Sequence, residues 1–178
     1  MEKRIVLGSG KLYAVEFEGS IPADAQLEVD DNLLGLISGG ASVHYESESY
    51  TAQDDLGIVV KKMLTSETVE LESGILTWNG TTLAKLCSTA RVTEDEQTHT
   101  RTVKIGGIGN YNPTKYLLRF VHQDAEYGKI RLTIVGTSEG GFEFSFAKDS
   151  ETTIDTTFTA LPSDDDGTLL IYTEEIAA

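Results

Sequence analysis

Ala41-Ser-Val-His-Tyr-Glu-Ser-Glu-Ser49 changes side-chain character at almost every step. Ser42, His44, Glu46 and Glu48 fall on one set of alternate positions, and Val43 and Tyr45 on the other. A period of two belongs to an extended chain, whose successive side chains point to opposite faces. The stretch therefore predicts a strand with one polar and one apolar face. The same pattern recurs on either side of it. Val69, Leu71 and Ile75 alternate with Glu70 and Glu72, and Leu12–Phe17 and Thr100–Ile105 read as short strands. Lys115–His122 is a nearly continuous apolar run, as expected for a strand buried on both faces. Ile130, Leu132 and Ile134 share a face, as do Phe142, Phe144 and Phe146, and again Ile154, Thr156, Phe158 and Ala160; Thr168–Tyr172 ends the series. Gly39-Gly40, Gly106-Gly107, Asn112-Pro113, Gly128, Gly140-Gly141, Pro162 and Gly167 punctuate the runs.

One segment has helical spacing. Leu83, Leu86 and Ala90 recur through Thr81–Ala90, with Asn79 placed as N-cap. One short helix among many strands predicts a mainly β fold, an antiparallel β-sandwich with one flanking α-helix, not alternating βαβ units. The chain reads as a single domain over residues 1–178. Tyr50–Met63 is different: its apolar residues Leu56, Ile58, Val59, Val60 and Met63 do not alternate cleanly, and Asp54, Asp55 and Gly57 interrupt them. It reads as a long inter-strand loop, packed on its own subunit or on another one. A connection of that length is either functional or disordered, and the apolar content favours function.

Composition limits the chemistry. The 178 residues suit one packed domain, and 14 Lys plus Arg against 29 Asp plus Glu give a formal charge of −15. A protein that reads nucleic acid needs a basic face, which this balance argues against. The acid is concentrated at the two ends. Residues 1–60 carry 3 basic and 11 acidic side chains, 61–136 carry 10 and 8, and 137–178 carry 1 and 10. Such a surface either solubilises the chain or repels an anion. The single cysteine, Cys87, excludes a disulfide framework, and no apolar run reaches the roughly 20 residues that span a bilayer. These features predict a soluble chain made in a reducing cytoplasm.

The motifs that suggest catalysis or ligand binding fail on their surroundings. Gly136-Thr-Ser-Glu-Gly140 has the spacing of a nucleophile elbow, but a strand-like Gly141–Phe146 follows where a helix is required, and His44, His99 and His122 all precede the serine. A hairpin turn accounts for it. Asp164-Asp-Asp-Gly167 matches the middle of a calcium loop, but Pro162 and Thr173 stand where the first and twelfth ligands belong. Gly8-Ser-Gly-Lys11 and Gly107-Ile-Gly109 are incomplete phosphate loops. Asn79-Gly-Thr81 fits a glycosylation acceptor without a secretory signal, and Trp78 reads as a core anchor. No catalytic constellation, cofactor site or metal site is expected.

Several stretches, in order over nearly the whole chain, resemble tail tube (major tail) proteins of long-tailed bacteriophages. They are Gly8-Ser-Gly-Lys-Leu-Tyr13, Leu34-Gly-Leu-Ile-Ser-Gly-Gly-Ala41, Asp54-Asp-Leu-Gly57, Glu72-Ser-Gly-Ile-Leu-Thr-Trp-Asn79, Phe158-Thr-Ala-Leu-Pro162 and Gly167-Thr-Leu-Leu-Ile-Tyr172. The resemblance implies a β-sandwich that assembles into hexameric rings, with neighbouring sheets closing into a central β-barrel. Rings stack into a tube through long loops and terminal arms, here an N-terminal arm near 1–11, the 50–63 loop and a C-terminal arm near 173–178. Related tubes occur in contractile tails, tailocins and injection systems. The implied role is a non-enzymatic virion protein, with itself, tail initiator, tape measure and terminator proteins as partners. It would be made in the host cytoplasm and end in the virion tail. Double-stranded DNA would pass through the lumen without binding, and no membrane is involved.

On that reading the candidate lumen-facing residues are Ser42, His44, Glu46, Glu48, Glu70 and Glu72, with Val43, Tyr45, Val69, Leu71 and Ile75 turned to the core. Glu143, Asp155 and Thr157 are further lumen candidates. Ring stacking falls to Tyr50, Asp54, Asp55, Leu56, Ile58, Val59, Val60 and Met63. From a different class, a monomeric or dimeric β-sandwich module binding carbohydrate or protein also fits an acidic strand-rich chain. Its exposed tyrosines (Tyr45, Tyr50, Tyr111, Tyr116, Tyr127) do not gather on one loop.

Overall fold

The computed structural model describes residues 8–58, 60–138, 141–143, 146, 148–149 and 151–176. Ten strands follow one another: β1 (Lys11–Glu16), β2 (Leu33–Gly35), β3 (Ile37–Gln53), β4 (Val60–Ile75), β5 (Arg91–Asp95), β6 (Thr100–Lys104), β7 (Tyr116–Asp124), β8 (Gly128–Ser138), β9 (Ile154–Leu161) and β10 (Ile171–Glu174). Two helices join them, the single turn α1 (Asp24–Leu27) and α2 (Gly80–Leu86). The large sheet has the order β2-β1-β7-β8-β9-β4-β3, with β10 beside β8, and β5-β6 forms a separate hairpin. Every pairing is antiparallel. The chain is mainly β with a flanking helix, as the alternation predicts, and the described residues of one chain do not close into a barrel.

The register explains the core. Leu71 lies opposite Phe158, Leu118 opposite Ile134 and Leu12 opposite Phe120, all on one face of the large sheet. Leu83 and Leu86 of α2 cover that face, and Trp78, Val103, Leu169 and Leu170 pack at its margin. Phe158, Leu71, Ile75, Leu118 and Ile154 are fully buried. Each such side chain contributes about 1.5–3 kcal/mol by leaving water. Phe158→Ala is expected to cost about 3–5 kcal/mol, read as a lower urea midpoint. A second, smaller cluster of Leu27, Leu117 and Val135 lies under α1 on the opposite face.

Asn79 caps α2 as the spacing predicts. Its Oδ1 accepts the Thr81 and Thr82 N–H groups at 2.8 and 3.1 Å, and Thr82 Oγ1 takes the Asn79 N–H in return. The helix stops at Leu86, short of Ala90. Cys87 is extended, Ala90 N–H bonds back to Cys87 O, and the chain turns directly into β5, a strand the sequence pattern did not show.

Other expectations are corrected. Tyr50–Met63 is mostly strand: Tyr50 pairs with Met63 and Gln53 with Val60, and the described residues 54–58 are outside the pairing. Phe142 and Phe146 are outside any strand, while Phe144 lies outside the described residues. Gly136-Thr-Ser138 is part of β8, not a turn, and a Cβ on Gly136 would meet Thr159 O at 2.4 Å, so close approach of β9 requires glycine there. Asp164–Gly167 is a turn, with Asp164 Oδ1 accepting from the Asp166 and Thr168 N–H groups. The last strand begins at Ile171 instead of Thr168.

Candidate assembly surface

The long pairing of β3 with β4 decides what its side chains can do. Ser42 lies opposite Glu72, His44 opposite Glu70, Glu46 opposite Thr68 and Glu48 opposite Ser66. Directly opposed residues share a face. Ser42, His44, Glu46, Glu48, Glu70 and Glu72 therefore stand on one side of the sheet, away from the Leu71–Phe158 core. β9 extends that face, because Glu72 pairs with Thr157, Glu70 with Thr159 and Gly74 with Asp155. Thr137 of β8 pairs with Thr159 and continues it. Over Ser42–Glu48, Ser66–Glu72 and Asp155–Thr159 this face has carboxylates, hydroxyls and one histidine, and no Lys or Arg. Ser42 and Ser66 donate to Glu72 and Glu48 at 3.4 and 3.1 Å, tying the side chains across the strands. Glu143 is exposed and outside the sheet.

The other face follows the expected alternation only in part. Val69, Leu71 and Ile75 are buried and Val43 is half-buried against the core, but Tyr45 is exposed. Tyr45 lies opposite the buried Val69 but is 54% exposed, beyond the stretch of β4 that β9 flanks. Its hydroxyl donates to Glu67 at 2.7 Å, and this bond holds the phenol above its ordinary pKa.

Two irregularities shape β3. Gly39 and Gly40, at φ +79° and +85°, form an insertion between Ser38 and Ala41, in a backbone region that glycine adopts without strain. A second register shift follows Glu48. From there to the tip the two strands run alone, with no third strand beside them among the described residues. The unaccompanied stretch Val60–Val69 is about 30 Å long at roughly 3.3 Å per residue. Tyr50, Leu56, Ile58, Val60, Met63 and Leu64 are all exposed on this hairpin, Leu56 by 80% and Ile58 by 76%. Asp54 and Asp55 begin the turn, closed by Gly57 N–H to Asp54 O, and Val59 lies outside the described residues.

The segments expected as terminal arms are described only in part. Residues 1–7 lie outside the described residues; Gly8–Gly10 lead into β1, which begins at Lys11. Thr173 and Glu174 belong to β10, paired with Arg131 and Ile130, and Glu175 N–H bonds Lys129 O. Glu175 also accepts from the Lys129 N–H at 2.9 Å and lies 3.4 Å from Arg131. This end of the chain is docked on its own sheet through Glu175, and residues 177–178 lie outside the described residues.

That docking continues a buried ionic cluster that sequence spacing did not show. Glu28, just past α1, sits 2.5 Å from Arg131 Nε and 2.9 Å from Lys129 Nζ, and Arg119 bonds Asp24. Arg119, Arg131 and Glu28 side chains are at most 10% exposed. Burial pushes the Glu28 carboxyl up, but the hydrogen bonds and charges of Arg131 and Lys129 outweigh it and hold the pKa below the ordinary value. Removing one partner of a buried cluster strands the others, so Glu28→Ala is expected to cost about 3–5 kcal/mol. Because the folded pKa is lowered, this stability is present above the ordinary glutamate value of about 4.3 and is lost as pH falls through the folded one. The gap between wild type and variant in urea unfolding should therefore narrow on acidification.

No protein-family model matches the chain, and no curated protein does. Among the solved structures it is similar to are gene transfer agent particles. One is the virion of a native gene transfer agent particle, at 8% identity and a TM-score of 0.42, covering 92% of this chain and 95% of that one. Another is the tail of an empty particle of this kind with C6 symmetry, at 9% identity, the same TM-score and the same coverage. No helix among the described residues is long and apolar enough to cross a membrane, and no group of three or more potential metal ligands was found among them.

Proposed function

We propose that this chain is a structural tail-tube subunit: copies form hexameric rings stacked into a tube, and double-stranded DNA passes through its lumen without binding. The observation that carries the reading is the face shared by Glu46, Glu48, Glu70, Glu72 and Asp155, which over Ser42–Glu48, Ser66–Glu72 and Asp155–Thr159 has hydroxyls between its carboxylates and no Lys or Arg. Duplex DNA carries one negative charge per about 1.7 Å of axis, so such a face repels it at every position along a pore. Ser42 and His44 complete the lumen set. The outer edge of β3, seventeen residues with no partner strand on that side among the described residues, supports assembly, because an open edge of that length is otherwise an aggregation site. The exposed apolar hairpin tip is the ring-stacking element, built from Tyr50, Asp54, Asp55, Leu56, Ile58, Val59, Val60 and Met63.

On this reading the protein is not an enzyme, needs no cofactor and works in the virion tail after synthesis in the host cytoplasm. Its partners are its own copies and the tail initiator, tape measure and terminator proteins. Negative-stain microscopy of the concentrated pure protein tests it. Rings or hollow tubes are expected; uniformly small, separate particles at every concentration would favour the monomeric or dimeric binding module instead.

A further inference from the structure

Strand directions place two unmatched surfaces at opposite ends of the molecule. β3 runs toward the hairpin tip, and β9, antiparallel to β4, runs the same way. β8 is antiparallel to β9, so Ser138 lies at the end remote from the tip, and Tyr116, opposite Gly136, lies there too. At that remote end a cleft of about 280 Å³ opens between α2 and the segment entering β7. Ala84, Ala90, Tyr111 and Tyr116 give it apolar patches among the polar Ser88, Asn112, Thr114, Thr137 and Ser138, and Lys85 is the one charged residue among those lining it. Tyr111 is 61% exposed there, and the neighbouring Ile108 is 94% exposed.

Lys85 is poorly compensated. Its ammonium donates to Ala14 O at 2.8 Å. Burial lowers its pKa, and the field of Glu16 offsets this only in part. A carboxylate brought to the cleft would stabilise the charge, and aliphatic side chains would fill the space between the tyrosines and the helix. The tip carries both on consecutive residues, Asp55 beside Leu56 and then Ile58.

We propose that the cleft between α2 and the Tyr111–Tyr116 segment receives the hairpin tip, Asp54–Ile58, of a second copy, with Leu56 and Ile58 filling it and Asp55 meeting Lys85. This rests on the tube reading and names the surface on which the stacking element docks. A contact between two different patches is heterologous, and stacked copies that repeat it without closing a ring extend the assembly. It also covers the exposed apolar tip and the exposed Tyr111 together, as an interface core does.

The test is cysteine cross-linking in assembled protein. In a Cys87→Ser background, Leu56→Cys with Ser88→Cys should give, on mild oxidation of tubes, a ladder of covalently joined chains in denaturing electrophoresis. The same protein held as free subunit should give single chains. If that variant does not assemble, Ile58→Cys with Ala90→Cys reads the same contact. Tubes that form with either pair and yield no ladder would overturn the docking site while leaving the tube reading in place. Failure of the unmodified protein to form tubes at all would overturn the tube reading itself.

Discussion

Replacing Glu46, Glu48, Glu70 and Glu72 by lysine is expected to leave the fold and the assembly intact and to make the tube retain DNA. The four side chains are partly or fully exposed on the polar face and make no contact with the Leu71–Phe158 core, so the loss of folding stability should stay within about 0.5 kcal/mol per site. Each substitution changes the local charge by two, and ring symmetry would repeat the change around the lumen. Four phosphate contacts per chain give a binding constant that falls roughly a hundredfold between about 50 and 200 mM salt. Wild-type tubes should show no such binding at either salt concentration. In an assembling phage the variant's DNA ejection should slow or stall, most strongly at low salt. Ejection at the wild-type rate, with tubes formed, would show that these positions do not face the channel.

Deleting residues 52–60 should abolish polymerisation and leave the subunit folded. None of the described residues among them belongs to either apolar core, and the strands that remain can still pair from Ser42–Glu72 to Tyr50–Met63, with Thr51, Lys61 and Lys62 as a three-residue turn. The urea midpoint should therefore scarcely move. The assembly effect is large because the tip supplies the anchors. A buried interface side chain worth about 2 kcal/mol changes the association constant by roughly thirtyfold, and Leu56 and Ile58 are both removed. Sedimentation of polymer against protein concentration reads one effect and urea unfolding the other. A deletion variant that still pelleted as tubes would remove the hairpin from the stacking contact.

What the sequence revealed follows from where burial is one-sided. Val69, Leu71 and Ile75 have a core below them and solvent above, so their strand was legible as a period of two. Tyr50–Met63 has solvent on both sides; its residues lack a reason to alternate, and a paired hairpin looked like a loop. β5 was hidden for a related reason, since Arg91-Val-Thr-Glu-Asp95 has one half-buried position, Val92, and four exposed ones. The cap of α2 was legible because it is local, four residues from Asn79 to Thr82. The ionic cluster was not, because Glu28 and Arg131 lie 103 positions apart and only the β7–β8 register brings Arg119 to the same carboxylates. Within the candidate surface the polar set on β3 and β4 was readable from alternation. That Thr157 and Asp155 share its face depends on the pairing with β9, and Lys85 meets the Tyr111–Tyr116 segment only through the packing of α2.

The central claim is that the carboxylate face of β3 and β4 forms the wall of a channel. An image reconstruction of assembled tubes, resolved well enough to trace strands, measures it directly. The account predicts hollow tubes in which Glu46, Glu48, Glu70 and Glu72 project toward the axis and the Leu71–Phe158 core lies outside them. Tubes in which those four carboxylates project toward bulk solvent on the outer surface would contradict it.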